Sequence, residues 1–441
     1  MLKTNRARIL AIASIVAMLS WSSDERCIPK SGGGRASAAE KKFEQKKNPA
    51  KADAESTPRD FRSDHFLIHT DLATDEAEEL VTRLETMLSL ISKYWVKPCQ
   101  QKIECYVVKD LRNWPRDAFP ERAYESLQNG AGLTITTVTV AGNEFFAKST
   151  VYAVADHGTP QHEAVHAYCG QTFGTTGPVW YAEGMAEMGN YWKEGDRSVN
   201  CREGVIRYIR ESEPKSLNEI VNSNEQTGDS WQNYAWRWAL CHLLENNPNY
   251  RERFRPLGLG LLSKQKVSFE AVYGSMADEI SFEYLFFLKT IEAGYRIDLC
   301  AWDWKAKFKV LKGTRSQQVK VQAAKGWQPT RVLADHEATY ECEASGTWSL
   351  TPGGSMLTAD GDADGSGKLL GVILDDYELS EEFEIGAGKS FTVPRSGKLY
   401  LRCRDGWGEL ADNTGQITIK LKLALAVNES SKSETKSKPS E

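Results

Sequence analysis

The stretch TPQHEAVHAYCG, residues 159–170, holds His162 and His166 four apart with Glu163 between them, in a chain that has 7 histidines in all. On a helix, residues four apart share a face, so both imidazoles can reach one metal ion. Glu163 stands beside them, where it can accept a proton from a water held at such an ion. Thr159 as N-cap and Pro160 as first helical residue predict a helix that begins just ahead of the motif. A catalytic zinc site uses a third protein ligand and leaves one position open. TTGPVWYAEGMAEMGNYW offers that ligand: Pro178 starts a second helix, and Glu183 follows His166 with sixteen residues, Ala167 to Ala182, between them. Glu187, one turn later, is the rival, and it also suits the outer shell that orients a ligating histidine. Gly184 and Ala186 are small, which lets this helix approach the first one closely.

These helices need a scaffold to hold them. FRSDHFLIHTDL reads as a strand, and in the following ATDEAEELVTRLETMLSLISKYW the residues Ala77, Leu80, Val81, Leu84 and Leu88 recur at helical spacing. KIECYVV and AKSTVYAVA read as further strands, the second leading into the histidine motif. After Gly170 the pattern is mostly helical to about Gly294, including YAWRWALCHLLE and SFEYLFFLKTIEA. From about Ser316 to Leu425 short alternating strands with Gly and Asp turns take over. The expected fold class is an α+β domain over residues 59–300 followed by an all-β sandwich over 316–425.

HEAVH followed by WYAEGMAE resembles the gluzincin metallopeptidases, thermolysin-like and aminopeptidase-like, over about Phe61 to Gly294. The resemblance implies a zincin-type fold with zinc on His162, His166 and Glu183. It also implies peptide-bond hydrolysis by a zinc-activated water with Glu163 as general base. Some members carry a tyrosine downstream that stabilises the oxyanion, and Tyr234 of NYAWRWALCHLL, 51 residues after Glu183, looks similar, although the glycine common in that helix is Trp236 or Arg237 here. In such folds an extended peptide adds to the strand before the motif helix, which would assign that role to AKSTVYAVADHG.

A second set of donors lies near the C-terminus. In GKLYLRCRDGWGELADNTGQITIKL an Asp, a Gly-rich turn and Asp-Asn-Thr-Gly place hard oxygen donors on one loop, which suits calcium. This stretch resembles the calcium-dependent galactophilic PA-I type bacterial lectins over about Val319 to Leu421. The resemblance implies calcium on Asp405, Glu409 through its backbone, Asp412 and Asn413, with a further carbonyl near Thr351. It departs where the sugar-contacting His and Gln should lie, since GGSMLTADGDADGSGKLL has neither. Within that connection Asp360, Asp362 and Asp364 could chelate a second calcium. The twelfth position is Gly371, so the run is no EF-hand.

With 441 residues, two folded units are expected, and 41% hydrophobic content supports real cores. The 55 basic and 60 acidic residues are well mixed, for a net charge of -5, which disfavours nucleic acid as a partner. Lys3, Arg6 and Arg8 precede an apolar run from Ile9 to Leu19, so residues 1–23 read as a signal peptide and the protein as secreted, periplasmic or on the cell surface. A membrane is a partner only if that segment is retained. Residues 24–58 read as a disordered tether and 426–441 as a disordered tail. The 9 cysteines contain no CxxC pair, and export favours disulfides, with Cys342 and Cys403, or Cys99 and Cys105, as candidate pairs. Cys169 reads as a core thiol or half of a disulfide and His242 as a packing residue. His65, His69, His157 and His336 have no spacing partner. The combined expectation is an exported zinc peptidase acting on a peptide or protein, with a lectin-like module for a cell-surface or extracellular glycan. The alternative is a non-catalytic carbohydrate-binding or adhesion protein on a zincin-like scaffold.

Overall fold

A computed structural model describes residues 8–16, 57–141, 144–222, 231–388 and 390–424. The expected tail, the tether up to residue 56, and residues 1–7 and 17–23 of the expected signal peptide lie outside the described residues. The chain divides into two compact units, Met1–Lys289 and Thr290–Glu441. Among the described residues, no helix is long and apolar enough to cross a membrane.

The first unit contains a six-stranded sheet with the order β1 (Arg8–Val16), β5 (Gly132–Ala141), β6 (Glu144–Val154), β4 (Ile103–Val108), β3 (Phe66–Thr70) and β2 (Arg59–Arg62). β3, β4 and β6 run parallel, while β5 and β6 pair antiparallel. Helix α1 (Thr74–Trp95) buries Ala77, Leu80, Leu84, Met87, Leu88, Ile91 and Trp95, a stripe at three- and four-residue spacing. Glu76 closes its N-terminus by accepting from the Ala73 N–H at 3.0 Å. After α2 (Glu121–Gln128) come the β5–β6 pair and the motif helix α3 (Thr159–Phe173), which packs on β5, β6 and β4. Helix α4 (Val179–Tyr191) follows, then α5 (Glu203–Glu211), α6 (Leu217–Asn222) and α7 (Trp231–Asn246), with α4 lying against both α3 and α7.

Three expectations change here. β6 is hydrogen-bonded on both sides, to β5 and to β4, so the strand before the motif helix has no free backbone edge for a peptide. β5 is likewise paired on both sides, to β6 and, from Arg8↔Val140 to Val16↔Gly132, to β1, which is the outermost strand at this end of the sheet. Thr159 is not the N-cap either. Gly158 takes that position, and Asp156 Oδ1 accepts from the N–H groups of Gly158 (2.9 Å) and Thr159 (2.6 Å). Gly184 faces α7 rather than α3: a Cβ there would come within 2.4 Å of Cys241 Sγ and 2.8 Å of the Arg237 carbonyl oxygen.

The second unit is all-β in its sheets. One sheet has the order β11 (Glu378–Leu379), β10 (Leu369–Asp375), β14 (Gly397–Cys403) and β8 (Gln328–Ala334), with β12 (Phe383–Glu384) also on β10. The other has the order β13 (Ser390–Phe391), β9 (Tyr340–Ser349), β15 (Thr414–Leu423) and β7 (Ser316–Gln322). Ile417, Ile419 and Leu421 of β15 and Leu399 and Leu401 of β14 bury their side chains in one core; β15 alternates as a half-buried strand does, whereas in β14 the intervening Tyr400 and Arg402 are buried as well.

Every described cysteine is a free thiol, which overturns both candidate disulfides. Cys342 on β9 and Cys403 on β14 belong to different sheets. Packed sheets stand about 10 Å apart, whereas a disulfide needs Cβ atoms about 3.8 Å apart. Cys105 is buried in the interior strand β4, and the Cys99 thiol donates to the Gln101 carbonyl instead.

Candidate metal centre

Helices α3 and α4 bring three donor atoms together. His162 Nε2 lies 3.2 Å from Glu183 Oε2, His166 Nε2 lies 3.3 Å from the same oxygen, and the two Nε2 atoms are 3.1 Å apart. Ligands about 2.0–2.1 Å from a tetrahedral ion stand about 3.3–3.4 Å from one another, so this triangle has the size of three corners of such a site. Among the described residues, this is the set of His, Cys, Asp or Glu groups whose ligand atoms fall within 4.8 Å of one another. His162 is 0% exposed and His166 1%, so the donors work in a medium where charge must be compensated.

The electrostatics favour positive charge at the centre. Burial would lower the pKa of His162, but its bonds to Glu183 and Glu187 override this and raise it to about 10. Burial would likewise raise the Glu183 carboxyl, yet the neighbouring imidazoles hold it well below the usual carboxylate range. A divalent ion supplies the same positive charge while the imidazoles stay neutral. Glu187 Oε1 lies 2.9 Å from His162 Nδ1, the far side of the ring from the triangle. It therefore fixes the ring's tautomer and orientation, and Glu183 is the carboxylate that faces the donor triangle.

Glu163 is fully buried on the sheet side of the motif. Its Oε2 accepts from Thr134 Oγ1 at 2.7 Å, while Oε1 is buried with no protein partner. Burial raises its pKa, against the opposing pull of His166 and His162. A carboxylate with one fixed oxygen and one open oxygen, beside a cation site, is equipped to take a proton from water. Gly132 makes room for it, since a Cβ there would stand 2.6 Å from Glu163 Cγ. Neither Thr134 nor Gly132 was anticipated. The run of β-branched residues in GLTITTVTVA marks their strand and is the signal that could have found them. Tyr234 on α7 is 2% exposed, with its ring centroid 5.5 Å from that of His162. The remaining described histidines lie elsewhere: His242 packs on Trp238, His65 pairs with Glu85, His69 with Asp60, His336 with Ser396, and His157 accepts from Arg83.

In the second unit the expected calcium donors are only partly gathered. Asp405 Oδ1 accepts from the Gly406 N–H at 2.9 Å, and Asp405 Oδ2 accepts from Asn413 Nδ2 at 2.8 Å. Asn413 is 5% exposed and its Oδ1 is buried without a partner, the one orphaned donor oxygen in the loop. Glu409 folds back toward Gly406, Asp412 is exposed, and the Thr351 carbonyl accepts from Ser349 Oγ. Asp360 is engaged with the Ala387 N–H, and Asp362 and Asp364 lie exposed beside one another.

No family model matches the chain, and no curated protein matches it. Among solved structures, a chain described as "EclA N-terminal domain; PllA-like lectin" is similar at 20% identity and TM-score 0.22, covering 24% of this chain and 96% of that one. Another, described as "IMPa metallopeptidase in complex with T-antigen", is similar at 11% identity and TM-score 0.17, with 76% of this chain and 38% of that chain covered.

Proposed function

We propose that the protein is an exported, zinc-dependent peptidase of gluzincin type, with a lectin-like module that holds it near a glycan-bearing surface. The observation that carries this reading is the donor triangle of His162, His166 and Glu183 with the open oxygen of a buried Glu163 beside it. When bound, zinc would lower the pKa of a water and polarise the substrate carbonyl. Glu163 Oε1 takes the proton from the attacking water and passes it to the leaving amine, while Thr134 keeps the other oxygen fixed. Tyr234 donates its hydroxyl to the developing oxyanion. Glu187 holds the His162 ring in place. The substrate takes the edge of β5 that Arg8–Val16 occupies in nine-residue register, once loss of residues 1–23 with the signal segment frees it. The second unit contributes Asp405 and Asn413 toward calcium, and the glycan rather than the peptide is its partner.

The test is hydrolysis of casein and of a peptide library by zinc-loaded protein, against Glu163→Gln. Loss of roughly 10²–10⁴ in rate, with metal content and melting temperature unchanged, is the expected outcome. A folded wild type that holds metal and cleaves no peptide would leave the adhesion or carbohydrate-binding alternative.

A further inference from the structure

A cavity of about 400 Å³ lies between α1, the turn into α3 and the C-terminal end of α4. Arg83, Lys193 and Arg202 line it together with His157, and no carboxylate borders it. The side chains of Lys193 and Arg202 form no hydrogen bond or ion pair among the described residues. Arg83 has Glu79 at 3.7 Å, and its Nη1 donates to His157 Nδ1 (2.7 Å) and to the His157 carbonyl (2.9 Å). A guanidinium N–H can only donate, so His157 accepts at Nδ1 and is neutral, with its proton on Nε2. The lining is therefore cations plus donors without a carboxylate among them; Asp196 attracts Lys193, and Glu79 and Asp156 attract Arg83, from outside the cavity.

Gln161 adds an independent observation. Its side chain is 5% exposed and lines the same cavity, and its Oε1 is buried without a partner. Leaving such an oxygen unsatisfied is unfavourable, and a ligand hydroxyl or N–H would satisfy it. Trp192 on the wall offers an apolar face to the body of the ligand. The volume is that of a small-molecule site rather than a surface dimple.

We infer that this cavity binds a carboxylate-bearing ligand, its carboxylate held by Arg202, Lys193 and Arg83 and a neighbouring hydroxyl or N–H donated to Gln161 Oε1. Two sources carry that chemistry, an acidic sugar and an acidic peptide side chain. The site is distinct from the donor triangle but adjoins it. Gln161 directly precedes His162, and the Asn190 amide lies 3.5 Å from Glu187 Oε2.

Calorimetric titration of the full chain with galacturonate, N-acetyl-aspartate amide and methyl galactoside tests this without reference to turnover, so its failure and that of the hydrolase reading are separable. The expected result is a carboxylate probe bound at least about tenfold tighter than the neutral galactoside, and about tenfold more weakly by Arg202→Gln or Lys193→Gln. Galacturonate ahead of the aspartate derivative assigns the sugar source, and the reverse order assigns the peptide source. Both residues are exposed, and unchanged melting curves and metal content verify folding. Should Arg202→Gln fold poorly, Lys193→Gln carries the same test. No binding of either carboxylate at millimolar concentration, equal binding of the neutral sugar, or wild-type affinity in a folded variant overturns the inference.

Discussion

The His162–His166–Glu183 centre and the Asp405–Asn413 loop both gather metal-type donors, and they differ in how the donors are held. In the first, two packed helices press buried, mutually facing groups into a triangle where a proton on His162 or a metal ion balances the Glu183 charge. In the second, the donors sit on one connection between strands and have largely satisfied one another: Asp405 accepts from Gly406 and Asn413, and Asp412 points to solvent. Helix packing can hold unsatisfied ligands at fixed distance because the surrounding core, rather than the ligands' own bonds, keeps them there. A loop has no such support and closes on itself.

The sharpest way to break this contrast is to remove a ligand. Glu183→Ala should abolish stoichiometric metal in protein purified without chelator, measured by atomic emission. Retention of about one ion per chain would move the site elsewhere.

Charge burial gives a second contrast. Burial raises Glu245 to about 7, against the Tyr94 hydroxyl that donates to it and the arginines Arg197, Arg251 and Arg255. A carboxyl whose folded pKa lies above its unfolded value binds more protons folded than unfolded. The first unit should therefore lose on the order of 2–3 kcal/mol as pH rises from about 4.5 to 7, and level off above that. Urea melts across this range should show that slope in wild type and a flattened one in Glu245→Gln. A wild-type curve that is already flat would mean Glu245 titrates like an exposed carboxylate.

Glu187→Gln probes the orienting bond alone. Metal affinity should fall by about 10–100-fold by competition with a chelator, while the ligands themselves stay intact. A drop as complete as that of Glu183→Ala would make Glu187 a ligand.

The smallest effect belongs to the loop. If Asp405 and Asn413 take calcium with millimolar affinity, roughly 10 mM calcium should stabilise the second unit by about 1 kcal/mol, read as a rise in melting temperature absent in Asp405→Asn. No rise in wild type would leave the loop a hydrogen-bonded connection and nothing more.

What could be read in the sequence was local. Helical spacing marks α1 through Ala77, Leu80, Leu84 and Leu88, and strand alternation marks most of the second unit, because period and face are fixed by backbone geometry alone. The HEAVH spacing fixes that His162 and His166 share a face for the same reason. Which partners meet across the fold was not local. Nothing in the order of residues shows that Thr134 holds Glu163, that Gly184 yields to Cys241 rather than to α3, or that β6 is interior, with β5 and β1 beyond it. Those outcomes depend on sheet order and helix packing, in which residues distant along the chain compete for the same space. The sequence by itself determined the chemistry available: two imidazoles, two candidate carboxylates and a base at helical spacing. Tertiary structure alone decided that Glu183 faces the imidazole nitrogens while Glu187 sits behind the His162 ring, because only the crossing of α3 and α4 sets which turn of the second helix lies opposite the first.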